Sequence, residues 1–199
     1  LNSQLKFFRE QFIPHLKREG IKTILHLGDF FFFFFHINSK VLNAVIELLG
    51  TDMKDFEIYI LVGNHDSYFE STIEVNSIEP LSLFPHVHII KTINQIQLQD
   101  RKITLVPWIV KNEEAIAQME SLPPSDICVG HFEMASFDMF RNKICEHGIS
   151  FEYFANRYPL TFSGHFHTRS VKEFANGNKI VYMGNPYHLT RNDIGDERG

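Results

Sequence analysis

Apolar positions along the chain switch between two periods, and the switches mark out helices and strands. Leu5, Phe8, Phe12, Ile13 and Leu16 recur at near-helical spacing, which predicts an opening helix over "LNSQLKFFREQFIPHLKREG". Pro14 should kink or divide that helix, and Gly20 suits a C-terminal stop. "IKTILHLGD" reads as a short buried strand running into a Gly-Asp turn. "INSKVLNAVIELLG" predicts an amphipathic helix with Asn38 or Ser39 as N-cap and Gly50 closing it. "FEIYILVGNHD" is a strand ending in Gly63, and "NSIEPLSLFP" a short helical piece interrupted by Pro80. "VHII", "QIQLQD" and "RKITLVPWI" read as successive strands, and "NEEAIAQMESL" as a helix. "SDICVGHFE" and "YPLTFSGHFH" are strands that finish in Gly-His, and "RSVKEFANGNKIVYMGNP" is a hairpin turning at Asn176 and Gly177. Alternation at the front followed by mostly strands predicts an α/β sandwich of layered sheets with flanking helices.

One stretch breaks the pattern. Six phenylalanines run from Phe30 to Phe35, with the periodicity of neither a strand nor a helix. In a loop they would expose an aromatic patch beside charged residues.

Four of the apolar strands finish in a glycine followed by residues of metal-ligand type. They are Gly28-Asp29, Gly63-Asn64-His65-Asp66, Gly130-His131 and Gly164-His165-Phe166-His167. Ligands of open α/β sheets gather outside the carboxyl ends of the strands, and glycine lets the backbone turn sharply there and approach an ion. Any one strand end of this kind is usually structural; four together point to a site. Imidazole nitrogens combined with hard oxygen ligands suit Mn, Fe or Zn better than Ca or Mg. A carboxylate can bridge two cations, and a pair of ions stabilises both oxygens of a phosphoryl displacement. His65 stands next to a ligand and could protonate a leaving oxygen or stabilise charge there. Asp66 could orient that imidazole or, equally, cap a turn. His26, His86, His88 and His147 lack the glycine context and read as structural, and Trp108 reads as a core anchor of its strand. His188, after "GNPY", could line the cleft.

Composition narrows the classes. The 199 residues are 44% hydrophobic and 22% charged, ordinary globular material with room for one sizeable core. No apolar stretch reaches the roughly 20 residues that cross a bilayer, and the opening residues from Leu1 do not read as a secretion signal. Cys128 and Cys145 lack metal spacing and read as free thiols of a reducing cytoplasm. The net charge of −5 offers no bulk attraction for nucleic acid, so a groove, a cation or a partner would have to supply it.

The series Gly-Asp, Gly-Asn-His-Asp, Gly-His and Gly-His-x-His resembles the calcineurin-like metallophosphoesterase superfamily. "VGNHD", "VPWIV", "VGHFEM", "SGHFHT" and "YMGNPYHLT" are similar, more narrowly, to SbcD-type DNA repair nuclease subunits, especially bacteriophage forms. The resemblance implies a metallophosphoesterase-like sandwich of two mixed sheets flanked by helices, forming one nuclease domain over residues 1–199. It makes Asp29 the bridging ligand. Asn64, His131 and His165 would complete the second metal position, His167 would serve the first, and His65 would be the acid-type histidine near the scissile phosphate. It further implies two Mn2+ ions, with Fe or Zn as substitutes, and phosphodiester cleavage in DNA by a homodimer. An SbcC-type ATPase would be the partner, in the cytoplasm of a cell or of a phage host.

Two departures qualify the resemblance. The family's opening Asp-x-His strand has no counterpart and the tail "RNDIGDERG" carries no fold-closing element, so the chain is expected to be truncated at both ends, with its first strand missing. As it stands it should bind at most one metal tightly and act feebly. The family also continues Gly-Asp-x-Phe-Asp-x-Arg, so Phe32 and Phe34 stand where an acid and a base are expected. Phe32 to Phe35 therefore read as placeholder residues, with Phe30 and Phe31 sound as written. Three classes remain: a DNA nuclease subunit, another metallophosphoesterase such as a phosphatase or cyclic-nucleotide phosphodiesterase, and a non-catalytic scaffold with a decayed site.

Overall fold

The structure is a computed structural model that describes residues 1–31, 37–140 and 143–186. Phe32 to Phe35 and His188 lie outside the described residues. The chain opens with α1 (Asn2–Phe7), a π-helical turn (Phe8–Phe12) and α2 (Ile13–Arg18). The π turn sits immediately before Pro14, where the missing N–H and the ring's clash with the preceding turn disrupt regular helix. Gly20, at φ +68, ends α2 in a Schellman arrangement, with Ile21 N–H on the Leu16 carbonyl at 2.9 Å and Gly20 N–H on Lys17 at 3.2 Å.

β1 (Thr23–His26) leads to α3 (Ser39–Glu47), whose N-cap Asn38 accepts the Lys40 amide at 2.8 Å. Gly50 does not close this helix as the sequence suggested. It lies inside a π turn (Leu48–Asp52) that prolongs the helix, where a Cβ would stand 3.0 Å from the Phe84 ring. The glycine serves close packing rather than termination.

β2 (Glu57–Leu61) is followed by the hairpin β3 (Ser67–Phe69) and β4 (Thr72–Asn76), a 3-10 turn (Glu79–Leu83) and β5 (Val87–Ile90). β6 (Asn94–Leu98), β7 (Arg101–Val106), α4 (Asn112–Ser121) and β8 (Ile127–Gly130) come next. An excursion of short strands, β9 (Met134–Ala135), β10 (Asp138–Phe140), β11 (Lys143–Ile144) and β12 (Ile149–Ser150), precedes α5 (Phe151–Arg157). β13 (Leu160–Ser163), β14 (Ser170–Glu173) and β15 (Lys179–Tyr182) complete the second sheet.

Two principal sheets result. One is three-stranded in the order β1-β2-β5, and its described strands are parallel. The other is six-stranded and mixed, in the order β14-β15-β13-β8-β7-β6, with parallel centre strands and an antiparallel hairpin at each edge. Strand alternation sends side chains to opposite faces, and β2 shows the result: Ile58 and Ile60 face the helices while Tyr59 and Leu61 face the other sheet. Ile13, Leu16, Leu48 and Leu49 cover the outer face of the three-stranded sheet. Leu61, Ile90, Ile103, Leu105 and Val129 fill the space between the sheets. Met119 of α4 and Phe154 of α5 cover the outer face of the larger sheet against Cys128, Ile180 and Tyr182. The layers thus run helix, sheet, sheet, helix. Fully buried aliphatic side chains such as Ile60 and Leu105 each contribute about 1.5–3 kcal/mol to this assembly.

This layering sets the site's location. β1 and β2 of one sheet and β7, β8 and β13 of the other end on the same side, and the Trp108 amide reaches across to the Val62 carbonyl at 2.8 Å. No helix among the described residues is long and apolar enough to cross a membrane.

Candidate metal centre

The loop after β1 brings Asp29 to the junction of the sheets, and two turns hold it there. Gly28 (φ +94) and Asp29 itself (φ 54) both lie in the left-handed region, which glycine adopts freely and a short polar residue tolerates. Glycine at positions 28, 63 and 164 has a second cause, the close approach of strand ends to one another. A Cβ on Gly28 would stand 2.4 Å from His131 Nδ1, one on Gly63 2.2 Å from Asp29 Oδ1, and one on Gly164 2.5 Å from the Leu27 carbonyl oxygen. In the structure these glycines let the four strand-end loops interlock.

Four predicted residues converge. One ligand atom each from Asp29, His131 and His165 lie within 4.8 Å of one another. Asn64 Oδ1 stands 2.9 Å from His131 Nε2 and 3.0 Å from His165 Nδ1, and Asp29 Oδ2 is 3.3 Å from His131 Nε2. Two ligands at right angles on an ion, each about 2.1 Å from it, stand about 3.0 Å apart, so these separations suit neighbouring ligands on one cation as well as the hydrogen bonds and ion pair seen here. The tautomer agrees. His131 Nδ1 donates to the Leu27 carbonyl at 2.5 Å, which leaves Nε2 as the face turned to Asn64 and Asp29, both oxygen acceptors. A proton or a cation must sit between such atoms.

The charge state follows. Burial opposes a charge on His131, yet the hydrogen bond and charge of Asp29 outweigh it and raise the imidazole's pKa. Burial also opposes ionisation of Asp29, but its bond to His131 and the His65 amide bring its pKa down to about 2. Burial and the neighbouring charge of His131 lower His165 to about 3, which keeps that imidazole neutral and available as a ligand. His165 holds its position at φ 74, a conformation that costs a non-glycine residue about 1–3 kcal/mol.

The remaining predicted residues occupy different places. The side chain of His65 is exposed, while its backbone amide donates to Asp29 Oδ1 at 2.9 Å. Asp66 is fully buried, and its carboxylate accepts the amides of Phe30 (3.0 Å), Phe31 (3.2 Å) and Gly63 (2.9 Å). Of the two roles open to Asp66 in the sequence, its bonds are those of a turn latch rather than an orienter of His65. Burial raises its pKa to about 6 against the pull of those amides. His167 is not part of the three-residue cluster, although its charge helps depress His165. Phe31 is buried and Phe30 packs on the His26 ring at 5.1 Å.

Two features escaped the sequence reading. Trp108 is half-buried rather than a core anchor, with its ring 5.1 Å from His165 and 5.9 Å from His131. Its place after β7, at the same carboxyl edge as the four glycine motifs, was the available signal. The second is a clamp on Phe132, the residue after His131. Ser163 Oγ accepts the Phe132 amide at 3.1 Å and donates to the Gly164 carbonyl at 3.0 Å, while the Tyr182 hydroxyl donates to the Phe132 carbonyl at 3.0 Å. The clamp ties the His131 loop to the His165 loop.

The model of the calcineurin-like phosphoesterase family matches residues 3–169. Among solved structures, the phosphopantetheinyl hydrolase PptH of Mycobacterium tuberculosis is similar at 12% identity and a TM-score of 0.50, covering 90% of this chain and 86% of that one. GAP50, the anchor in the inner membrane complex of Plasmodium, is similar at 12% identity and a TM-score of 0.50, covering 91% of this chain and 67% of that one. At such identity these likenesses speak for the fold alone. No curated protein matches the chain. The family match spans most of the chain and contains the Asp29, His131 and His165 cluster. The chain belongs to the calcineurin-like phosphoesterases, the metal-dependent hydrolases of phosphoester bonds.

Proposed function

We propose that this chain cleaves phosphodiester bonds in DNA, as an SbcD-type nuclease subunit that works with Mn2+. The observation that carries the catalytic part is the convergence of Asp29, Asn64, His131 and His165 beneath an exposed His65. The narrower substrate rests on the sequence motifs around Trp108, His131, His165 and Asn185. Asp29, Asn64, His131 and His165 would hold the cation, and His167 would serve a second position. A divalent ion supplies positive charge for the phosphate oxygens and a reactive water at neutral pH. Manganese, with iron or zinc as substitutes, matches this mix of imidazole, amide and carboxylate ligands.

The protein's own groups then do the positioning. Asp29 fixes the His65 backbone, and the exposed imidazole would meet the leaving oxygen of a bound phosphodiester. There it donates a proton or stabilises the developing charge. The net charge of −5 leaves much of the DNA grip to an SbcC-type ATPase, with a homodimer presenting two sites. The cytoplasm of a cell or phage host is the matching compartment.

The test is Mn2+-dependent cleavage of linear duplex DNA by the protein and its His65→Asn variant. The proposal expects cleavage that falls by on the order of 10²–10⁴-fold in the variant. Equal rates would remove His65 from the chemistry. Turnover of small phosphomonoesters with none of DNA would favour a phosphatase instead.

A further inference from the structure

We propose that the groove beside Trp108 receives a nucleobase next to the scissile phosphate, an inference that rests on the nucleic-acid reading above. The groove is a cavity of about 310 Å3 between the β3–β4 hairpin, the end of β5 and the segment from Pro107 to α4. That volume lies at the lower end of the range for small-ligand sites, roughly 300–1,000 Å3. Its apolar surface comes from Ile73, Ile93, Trp108 and Val110. Trp108 is the wall shared with the metal cluster, since its ring lies 5.1 Å from that of His165. Whatever fills the groove is therefore a neighbour of a phosphate held at the cluster.

Charge identifies the part of the substrate that fits. Lys91 and Lys111 line the groove, but Lys91 is paired with Glu79 at 3.1 Å and Lys111 with Glu114 at 2.7 Å. Glu74 and Glu114 lie on the same lining, so the groove holds no surplus of positive charge for a phosphate, and its apolar wall suits a flat base face. Stacking on an indole suits any of the bases, because each has a π face. The same hairpin exposes Tyr68 and Phe69 outside the groove's lining, with ring centroids 4.7 Å apart. A base in this groove has to be unpaired, which directs the site toward frayed or single-stranded DNA.

Trp108 is the chain's single tryptophan, and it makes a built-in reporter. The experiment titrates the protein, kept in chelator, with a short single-stranded oligothymidylate and with an abasic oligonucleotide of equal length and charge. The proposal expects saturable change of the indole fluorescence by the oligothymidylate, with the abasic strand binding on the order of tenfold more weakly. A Val110→Asp variant should weaken the oligothymidylate to a similar degree. Equal response to both strands, or response to neither, overturns the groove assignment. The nuclease reading is judged separately: cleavage of DNA without base-dependent fluorescence removes the groove alone, and base-dependent fluorescence without cleavage removes the nuclease alone.

Discussion

The backbone amide of His65 donates to the Asp29 carboxylate at 2.9 Å, joining the loops after β1 and β2 across 36 residues of sequence. Asp29 Oδ2 lies 3.3 Å from His131 Nε2, so one carboxylate connects the exposed imidazole's backbone with a buried one on the opposite sheet. The centre is therefore a junction between sheets, and its integrity depends on loops that lack side chains at the points of contact.

Gly63→Ala is predicted to damage that junction. The new Cβ would fall 2.2 Å from Asp29 Oδ1 and 2.3 Å from Asp29 N, so the carboxylate has to move. Calorimetry should show Mn2+ affinity reduced by at least about tenfold. Gly177→Ala is the contrast, since Gly177 has φ +82 but nothing within 4 Å of a Cβ. It should cost about 1 kcal/mol of stability and leave Mn2+ affinity unchanged.

Asp66→Asn should destabilise the protein by about 1–3 kcal/mol. The amide oxygen can still accept from Phe30 and Phe31, but the NH2 group would face the Gly63 N–H that Asp66 Oδ2 accepts at 2.9 Å. A shift of the denaturant midpoint measures the loss, and an unchanged midpoint would mean that the latch carries no load.

Ser163→Ala leaves the buried amide of Phe132 without its acceptor, and Tyr182→Phe leaves the Phe132 carbonyl without its donor. Each is expected to cost about 1–3 kcal/mol and to weaken Mn2+ binding through the loosened His131 loop. Destabilisation with unaltered metal affinity would separate the clamp from the site.

Acid should expose the Asp29 contribution in the chelator-treated protein. Burial opposes the charge, yet His131 lowers the carboxyl pKa from 3.8 to about 2, so the folded state favours ionised Asp29. The resulting stability, about 2 kcal/mol, is fully present above pH 4 and is lost as pH falls from about 4 to about 2. Denaturation curves across that window should show the loss in the wild-type protein and a flatter profile in Asp29→Asn.

Much of this was legible in the sequence, for physical reasons that also mark where legibility ended. β2 and β8 declared themselves because strands buried on both faces are nearly continuous apolar runs, and the Asn176-Gly177 turn because its geometry demands such residues. Asp29, Asn64, His131 and His165 stood out because each follows a glycine at a strand end. Gly50 misled because a helix-closing glycine and a close-packing one look alike until Phe84 is in place. Trp108 read as core because periodicity reports burial of a strand, not which residue past its end turns toward an ion site. Ser163 and Tyr182 were invisible for a different reason: their partner is backbone, and backbone carries no sequence signal.

The most direct measurement is a calorimetric titration of the protein with Mn2+, alongside its Asp29→Asn and His165→Ala variants. If Asp29, Asn64, His131 and His165 hold one divalent ion, the wild-type protein binds Mn2+ saturably and each variant binds at least about tenfold more weakly. Equal affinity in all three proteins, or no binding by the wild type, would contradict the assignment of this cluster as the metal centre.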